Sequence, residues 1–412
     1  MARNRVIYQT ESLMVGPSPA TGTHFWNYAH HIQTSALNPV SGSLIRELHR
    51  VQSANYDYNT TFVDVNQFGE LAAIDRIILD APTVSLDFTY LSANLQNELN
   101  LGFTISSGSW VSCISGMLSK TEDEKNYFIK TVDEGADVYN NGDITEGTVI
   151  GIGNGFVTSY SAEGSVGNFP TVSVNVEALN MNWYSGPSGN NIPAVNPVDG
   201  TAITTYKFQL PIGISSPTGI YANPDFADDV SSAGASDFGI SALRPGDITV
   251  SIYDAGTTTA YNDGGANVSD WKLQSYTIGV DLSREPLQKL GSKYAFSKEI
   301  QFPLQATCSL TADMGDLQAG SLVTLINNNQ SYDIVINMNK AGTSNTAIQY
   351  QLRSAKLEGQ SFSSSIGSNK SVTMNFSTQI GGPSQNNIGL FMSGYHNPTN
   401  ATSYGRANWV NA

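Results

Sequence analysis

Four histidines, His24, His30, His31 and His49, fall in one N-terminal stretch, and grouped histidines can hold a transition metal. His30 and His31 are adjacent, however, and would point to opposite faces of a strand, with no cysteine nearby to complete a site. Packing at a surface or interface is the expected role. Glu122-Asp123-Glu124, with Asp133 and Glu134 after it, offers hard oxygen ligands for calcium but lacks the spacing of an EF-hand loop. A solvated loop is expected there. Gly151-Ile152-Gly153-Asn154-Gly155 has the glycine density of a phosphate-binding turn but neither the G-x-G-x-x-G spacing nor a following helical pattern, so a flexible turn is expected. There is no G-x-S-x-G elbow and no P-loop, and five histidines give no Ser–His–Asp arrangement. The expectation is a non-enzymatic chain with no catalytic, cofactor-binding or metal-ligating residues.

The elements that would carry such groups are strands. The 412 residues are 40% hydrophobic but only 13% charged, and neutral polar side chains fill the remaining positions. Such residues suit strands and tight turns better than solvated helices. Period-two alternation is clean over Thr83–Tyr90, Thr171–Ala178, Asp247–Ile252, Gln305–Asp313 and Ser371–Ser377. Each predicts a strand with one face on a core and the other on water or a partner. Ser43–Leu48 is the best candidate for a short helix, and Thr205–Leu210 for a further strand.

Twenty basic against 35 acidic residues give a formal charge of −15, the wrong sign for gripping DNA phosphates. Cys113 and Cys308 are too few for a disulfide framework and read as packed thiols in a reducing cytoplasm. The start, Met1-Ala2-Arg3-Asn4-Arg5, leads into no apolar signal region, and no stretch has the length of a membrane-spanning helix. Export and membrane association are therefore not expected.

A repeat organises the chain. Val51-Gln52-Ser53 returns as Leu273-Gln274-Ser275, and Gln67-Phe68-Gly69 as Lys289-Leu290-Gly291, both at a numbering offset of 222. Ala81-Pro82 and Phe302-Pro303, offset by 221, each precede an alternating strand. Ser165-Val166-Gly167 and Ser365-Ile366-Gly367, offset by 200, also lead into alternating strands. Collinear landmarks point to internal duplication. The expected organisation is a first β domain over 1–184, a connector with a closing strand over 185–242, and a second β domain over 243–412. Gln52, Gly69, Pro82, Gly167, Gln274, Gly291, Pro303 and Gly367 are the landmarks expected near subunit contacts.

Three runs of the first half, Val51–Tyr56, Asp64–Gly69 and Pro82–Phe88, resemble phage tail tube proteins, as does Ala355–Phe362 with Ser365-Ile366-Gly367. The resemblance implies an all-β fold of two tandem tail-tube-type β-sandwich or rolled-sheet domains, with long hairpins and at most short helices. It also implies hairpins that join those of neighbours into a barrel around a channel, and rings that stack into a tube in the virion tail. Ring closure would remove the open edges such strands otherwise leave. Two domains per chain favour a trimeric ring with pseudo-six-fold symmetry over a hexamer of two-layer chains. Other tail proteins would be partners. DNA would pass without sticking, repelled by luminal Asp and Glu over a Debye length of about 10 Å at 0.1 M salt. A tail terminator or baseplate hub would carry the same domain in a single ring. A carbohydrate-binding adhesive β-sandwich would group exposed aromatics, whereas Trp26, Trp110, Trp183, Trp271 and Trp409 are dispersed.

Overall fold

The computed structural model describes residues 11–17, 46–80, 82–106, 110–118, 123–132, 148–185, 195, 242–256, 262–263, 266–267, 272–291, 294–295, 297–313, 331–341, 345–364 and 369–395. In chain order the first half holds β1 (Glu11–Pro17), β2 (Arg46–Glu47), β3 (Val51–Asn59), β4 (Phe62–Val65), β5 (Asp75–Ile78), β6 (Thr83–Leu91), α1 (Gln96–Leu101), α2 (Ser115–Leu118), β7 (Glu124–Thr131), β8 (Thr148–Ser165), β9 (Thr171–Ala178) and β10 (Asn180–Ser185). The second half holds β11 (Ile248–Asp254), β12 (Asn262–Asp263), β13 (Ala266–Asn267), β14 (Lys272–Asp281), β15 (Arg284–Leu287), β16 (Ser297–Ile300), β17 (Gln305–Asp313), β18 (Tyr332–Asn339), β19 (Thr346–Ser363), β20 (Ser371–Gln379) and β21 (Gly389–Gly394). The fold is all-β with two short helices among the described residues, as expected from the alternation.

One connectivity occurs twice. In the first half β3 pairs with β6, β6 with β9, β9 with β8, β8 with β7 and β10, and β7 with β1. In the second half β14 pairs with β17, β17 with β20, β20 with β19, β19 with β18 and β21, and β18 with β11. All of these pairs are antiparallel.

The registers repeat as well. Ala54 faces Phe88, and at the offset of 222 Tyr276 faces Leu310. Tyr160 faces Val174, and at the offset of 200 Gln360 faces Met374. Even the irregularities recur. Bulges between Val51 and Ser53 and between Val157 and Ser159 return between Leu273 and Ser275 and between Leu357 and Gly359. Asn154 (φ 55°) and Ser354 (φ 54°), again offset by 200, share the left-handed conformation that non-glycine residues rarely adopt. Independent folds would not reproduce bulges at matching sites.

The core faces are those the alternation marked. Val84, Leu86, Phe88 and Tyr90 are buried in β6, Val172, Val174 and Val176 in β9, and Ala306, Cys308, Leu310 and Ala312 in β17. Burying one large apolar side chain contributes roughly 1.5–3 kcal/mol, so these stripes dominate the stability of each half. Cys113 and Cys308 are free and buried in this core, and burial pushes both thiols up to about 12.

One expectation needs correction. Ser43–Leu48 is not a helix where described: Arg46 and Glu47 extend as β2 along Val15 and Met14. The two helices lie instead at Gln96–Leu101, closed by Gly102 at φ 106°, and at Ser115–Leu118. The proline landmarks are out of step by one position, because the constant offset of 222 places Pro82 level with Leu304, and Pro303 level with Ala81. A proline needs only to stand ahead of the first ladder residue, so its place can drift. Thr205–Leu210 and Gly367 lie outside the described residues, as does the connector 185–242 apart from Ser185, Val195 and Ala242.

Candidate functional site

The two halves meet edge to edge. β14, the outer strand of the second half, pairs with the distal part of β8 from Ser275 opposite Ser165 to Asp281 opposite Ser159. Beyond the ladder the Val166 amide donates to the Gln274 carbonyl at 2.9 Å. One sheet therefore runs through both halves.

A hairpin folds over this junction. Arg284 on β15 donates from Nη2 and Nη1 to Asp123 at 2.6 and 2.8 Å and from Nε to the Val157 carbonyl at 2.9 Å, with its guanidinium 5.1 Å from the Phe156 ring. Lys298 on β16 reaches Glu177 at 2.8 Å. The Arg284 side chain is 1% exposed, so the bidentate geometry carries the cost of burying its charge.

The same elements stand open at the other ends of the chain. Among the described residues β3 pairs only with β6, and Leu357–Ser363 of β19 pairs only with β20. Equivalent side chains differ accordingly. Val280 on β14 is 2% exposed, whereas Tyr58, its match on β3, is 59% exposed; Ala162 on β8 is 0% exposed, whereas Phe362, its match on β19, is 52% exposed. The hairpin β4–β5, which matches β15–β16, leaves Phe62, Val63, Val65, Ile77 and Ile78 exposed.

Away from the core the continuous sheet is polar. The outward positions of β6 are Thr83, Ser85, Asp87 and Thr89, those of β9 Thr171, Ser173, Asn175 and Glu177, and those of β17 Gln305, Thr307, Ser309, Thr311 and Asp313. Hydroxyls link neighbouring strands across it, Ser53 with Thr89 at 2.7 Å and Thr311 with Thr373 at 3.1 Å. Asp57 accepts from Ser85, and burial, together with the Asp57 charge, raises the Asp87 carboxyl. No lysine or arginine stands at these outward positions of β6, β9 and β17.

The landmark residues fall at turns and bulges. Gln52 and Gln274 are the bulged residues of β3 and β14, each donating its side-chain amide two residues back, to Arg50 at 3.0 Å and Lys272 at 3.3 Å. Gly69 (φ 94°) and Gly291 (φ 86°) occupy matching turns, and Gly167 (φ 86°) turns β8 into β9. Gln274 lies at the junction between halves, beside the turn that holds Gly167. Gln52, Gly69, Pro82, Gly291 and Pro303 do not touch that junction through any strand pairing.

Two sequence expectations fail here. Asp123 and Glu124 are no solvated loop: Asp123 holds Arg284, and the buried Glu124, at the start of β7, accepts from Asn154 Nδ2 at 2.6 Å. Gly151–Gly155 is no flexible turn but the buried middle of β8, where a Cβ on Gly155 would stand 2.8 Å from the Tyr127 ring. His49 is buried beside α1, with its amide on Asn97 Oδ1 at 2.9 Å; burial and Arg50 lower its imidazole to about 3. His24, His30 and His31 lie outside the described residues.

Sequence reasoning also missed a buried polar cluster. Glu98 Oε1 accepts from Tyr90 at 2.8 Å and from Tyr160 at 3.0 Å, and burial raises its carboxyl to about 7. Tyrosines at inward strand positions were the available signal.

No protein-family model matches the sequence, and no curated protein does. Solved structures similar to part of the chain include the SPP1 tail tube, at 10% identity and a TM-score of 0.27 over 41% of this chain and 86% of that one. The baseplate of the anti-feeding prophage is similar at 9% identity and a TM-score of 0.24, over 36% of this chain and 92% of that one. The tube-terminating cap of the same particle is similar at 7% identity and a TM-score of 0.24, over 35% and 88%. These neighbours are tail tube, baseplate and cap proteins.

Proposed function

We propose that the protein is a non-enzymatic structural subunit of a phage tail tube, with three chains closing a ring of six equivalent units. What supports this is one observation: the two halves lie side by side in a single sheet, in the same orientation and register, rather than one above the other. Neighbours within one chain are then neighbours around one ring, and a repeated heterologous contact closes a ring when its rotation divides a full turn.

The outward polar face lines the channel. The outward positions of β6 and β17 offer DNA phosphates no fixed cation, and Asp57, Asp87 and Asp313 repel them. Rings stack through the hairpin tips. Phe68 and Leu290, equivalent at the offset of 222, both project fully into solvent, which gives a three-chain ring six like apolar tips.

Negative-stain electron microscopy and native mass spectrometry of the concentrated protein test this. Hollow tubes with three chains per layer are expected. Six chains per layer overturn the trimer. Isolated rings that never stack indicate a terminator or hub, and a lasting monomer overturns the structural role and turns attention to glycan binding.

A further inference from the structure

The junction inside the chain is a template for the junction between chains. We propose that β3 of one chain adds, antiparallel, to the distal half of β19 in a second copy of this chain, with Ala54 opposite Ser364, Tyr56 opposite Phe362 and Tyr58 opposite Gln360. The proposal rests on the ring-forming role above and assigns its closing contact.

The register follows from the observed one. Tyr276 faces Gly164, Ile278 faces Ala162 and Val280 faces Tyr160. Replacing β14 by its equivalent β3, and β8 by its equivalent β19, through the two offsets that hold along the paired strands, yields the three pairs above. Both edges are unpaired among the described residues, and both keep the bulge that shapes the template. Open strand edges are sites for strand addition, and here each chain has one of each kind.

The exposure differences identify the occupant. Tyr58 and Phe362 are exposed where their matches Val280 and Ala162 are sealed by the neighbouring half. A surface built to be covered by a copy of β14 or β8 is most simply covered by β3 or β19 of another chain. The hairpins agree. Phe62 stands where Arg284 grips Asp123, so on this edge the hairpin presents an apolar ring in place of the guanidinium.

Cysteine pairs in the full chain test the register. Opposed residues alternate between wider and narrower spacing, so two matched variants are needed, Tyr56→Cys with Phe362→Cys and Asp57→Cys with Ser361→Cys. Tyr56→Cys with Gly359→Cys is the mismatched control. Mild oxidation should give at least tenfold more interchain disulfide in one matched pair than in the control, up to a covalent trimer. Hydrogen exchange on the unmodified protein should show amides 54–59 and 359–364 protected on assembly. Tubes without matched crosslinks, or with equal crosslinking in the control, overturn the pairing and leave the tube role standing. Matched crosslinks in a protein that forms no rings uphold the pairing and overturn the tube role. Neither crosslinks nor rings overturn both.

Discussion

The hydroxyls of Tyr160 and Tyr350 meet at 2.8 Å in the buried centre of the protein, one from each half and 190 residues apart. Tyr160 donates onward to Glu98 Oε1 at 3.0 Å, so Tyr350 supplies the hydrogen between the two tyrosines. A polar chain thus crosses the seam between halves through otherwise apolar packing. Burial, with the Glu98 charge behind it, drives both phenols well above their usual range, which leaves them as neutral donors at any ordinary pH.

Glu98 makes stability depend on pH in an unusual direction. Its folded value of about 7 exceeds the ordinary 4.5, so the folded state holds the proton more tightly. That contribution is complete below about 4.5 and is lost as pH rises to about 7. His49, lowered from 6.5 to about 3, does the opposite: its contribution is complete above 6.5 and is lost as pH falls to about 3. The two cancel between about 4.5 and 6.5. The unfolding free energy of wild type minus that of Glu98→Gln, from urea titration, should therefore rise on acidification over this interval, by about 1.4 kcal/mol per pH unit. A flat difference would refute the protonated carboxyl.

Arg284 and Arg76 both form ion pairs, and burial separates their worth. Arg284→Ala leaves the largely buried Asp123 carboxylate without its counter-charge and should cost about 3 kcal/mol. Arg76→Ala removes an exposed pair with Asp64 on the β4–β5 hairpin and should cost under about 1 kcal/mol. Urea unfolding of the two variants checks the contrast.

Gly164 opposes Tyr276 across the seam, and a Cβ there would lie 2.5 Å from the ring. Gly164→Ala should destabilise by about 1–3 kcal/mol through overpacking. Gly359→Ala, with open space at its Cβ, should be near neutral in the monomer. Thermal melts of both proteins provide the measurement.

Asp57→Lys with Asp87→Lys would place two cations on the outward polar face. Assembled protein carrying both should retain a short DNA oligonucleotide at low salt, and wild type should not. Retention that fades steeply with added salt would mark phosphate contacts. Equal behaviour of the two proteins would argue against a channel-lining role for this face.

Much of the fold was legible because strand burial has a period of two. Val84, Leu86, Phe88 and Tyr90 declare β6 without help, and the tight turns at Gly69 and Gly291 require a left-handed residue that the sequence supplies twice. The Gly151–Gly155 run misled because glycine also serves close packing, here under the Tyr127 ring. Glu124 misled because a carboxylate in a charged run looks solvated until its donor, Asn154, arrives from another strand. The seam was not legible at all. Tyr58 and Phe362 alternate as core residues do, and only the topology shows that their own chain leaves them uncovered.

The β8–β14 seam has a kinetic meaning. Because one polypeptide carries both strands, this pairing forms at a fixed effective concentration however dilute the protein becomes. In the proposed ring, only the second seam would have to be found by collision between molecules. A six-unit ring then requires two encounters and one closure rather than five and one, and every pair of units enters with a one-to-one stoichiometry enforced by translation. The tethered seam carries the buried Arg284–Asp123 pair, whereas the exposed Tyr58 and Phe362 would give the proposed interchain seam an apolar surface that tolerates a rough first meeting.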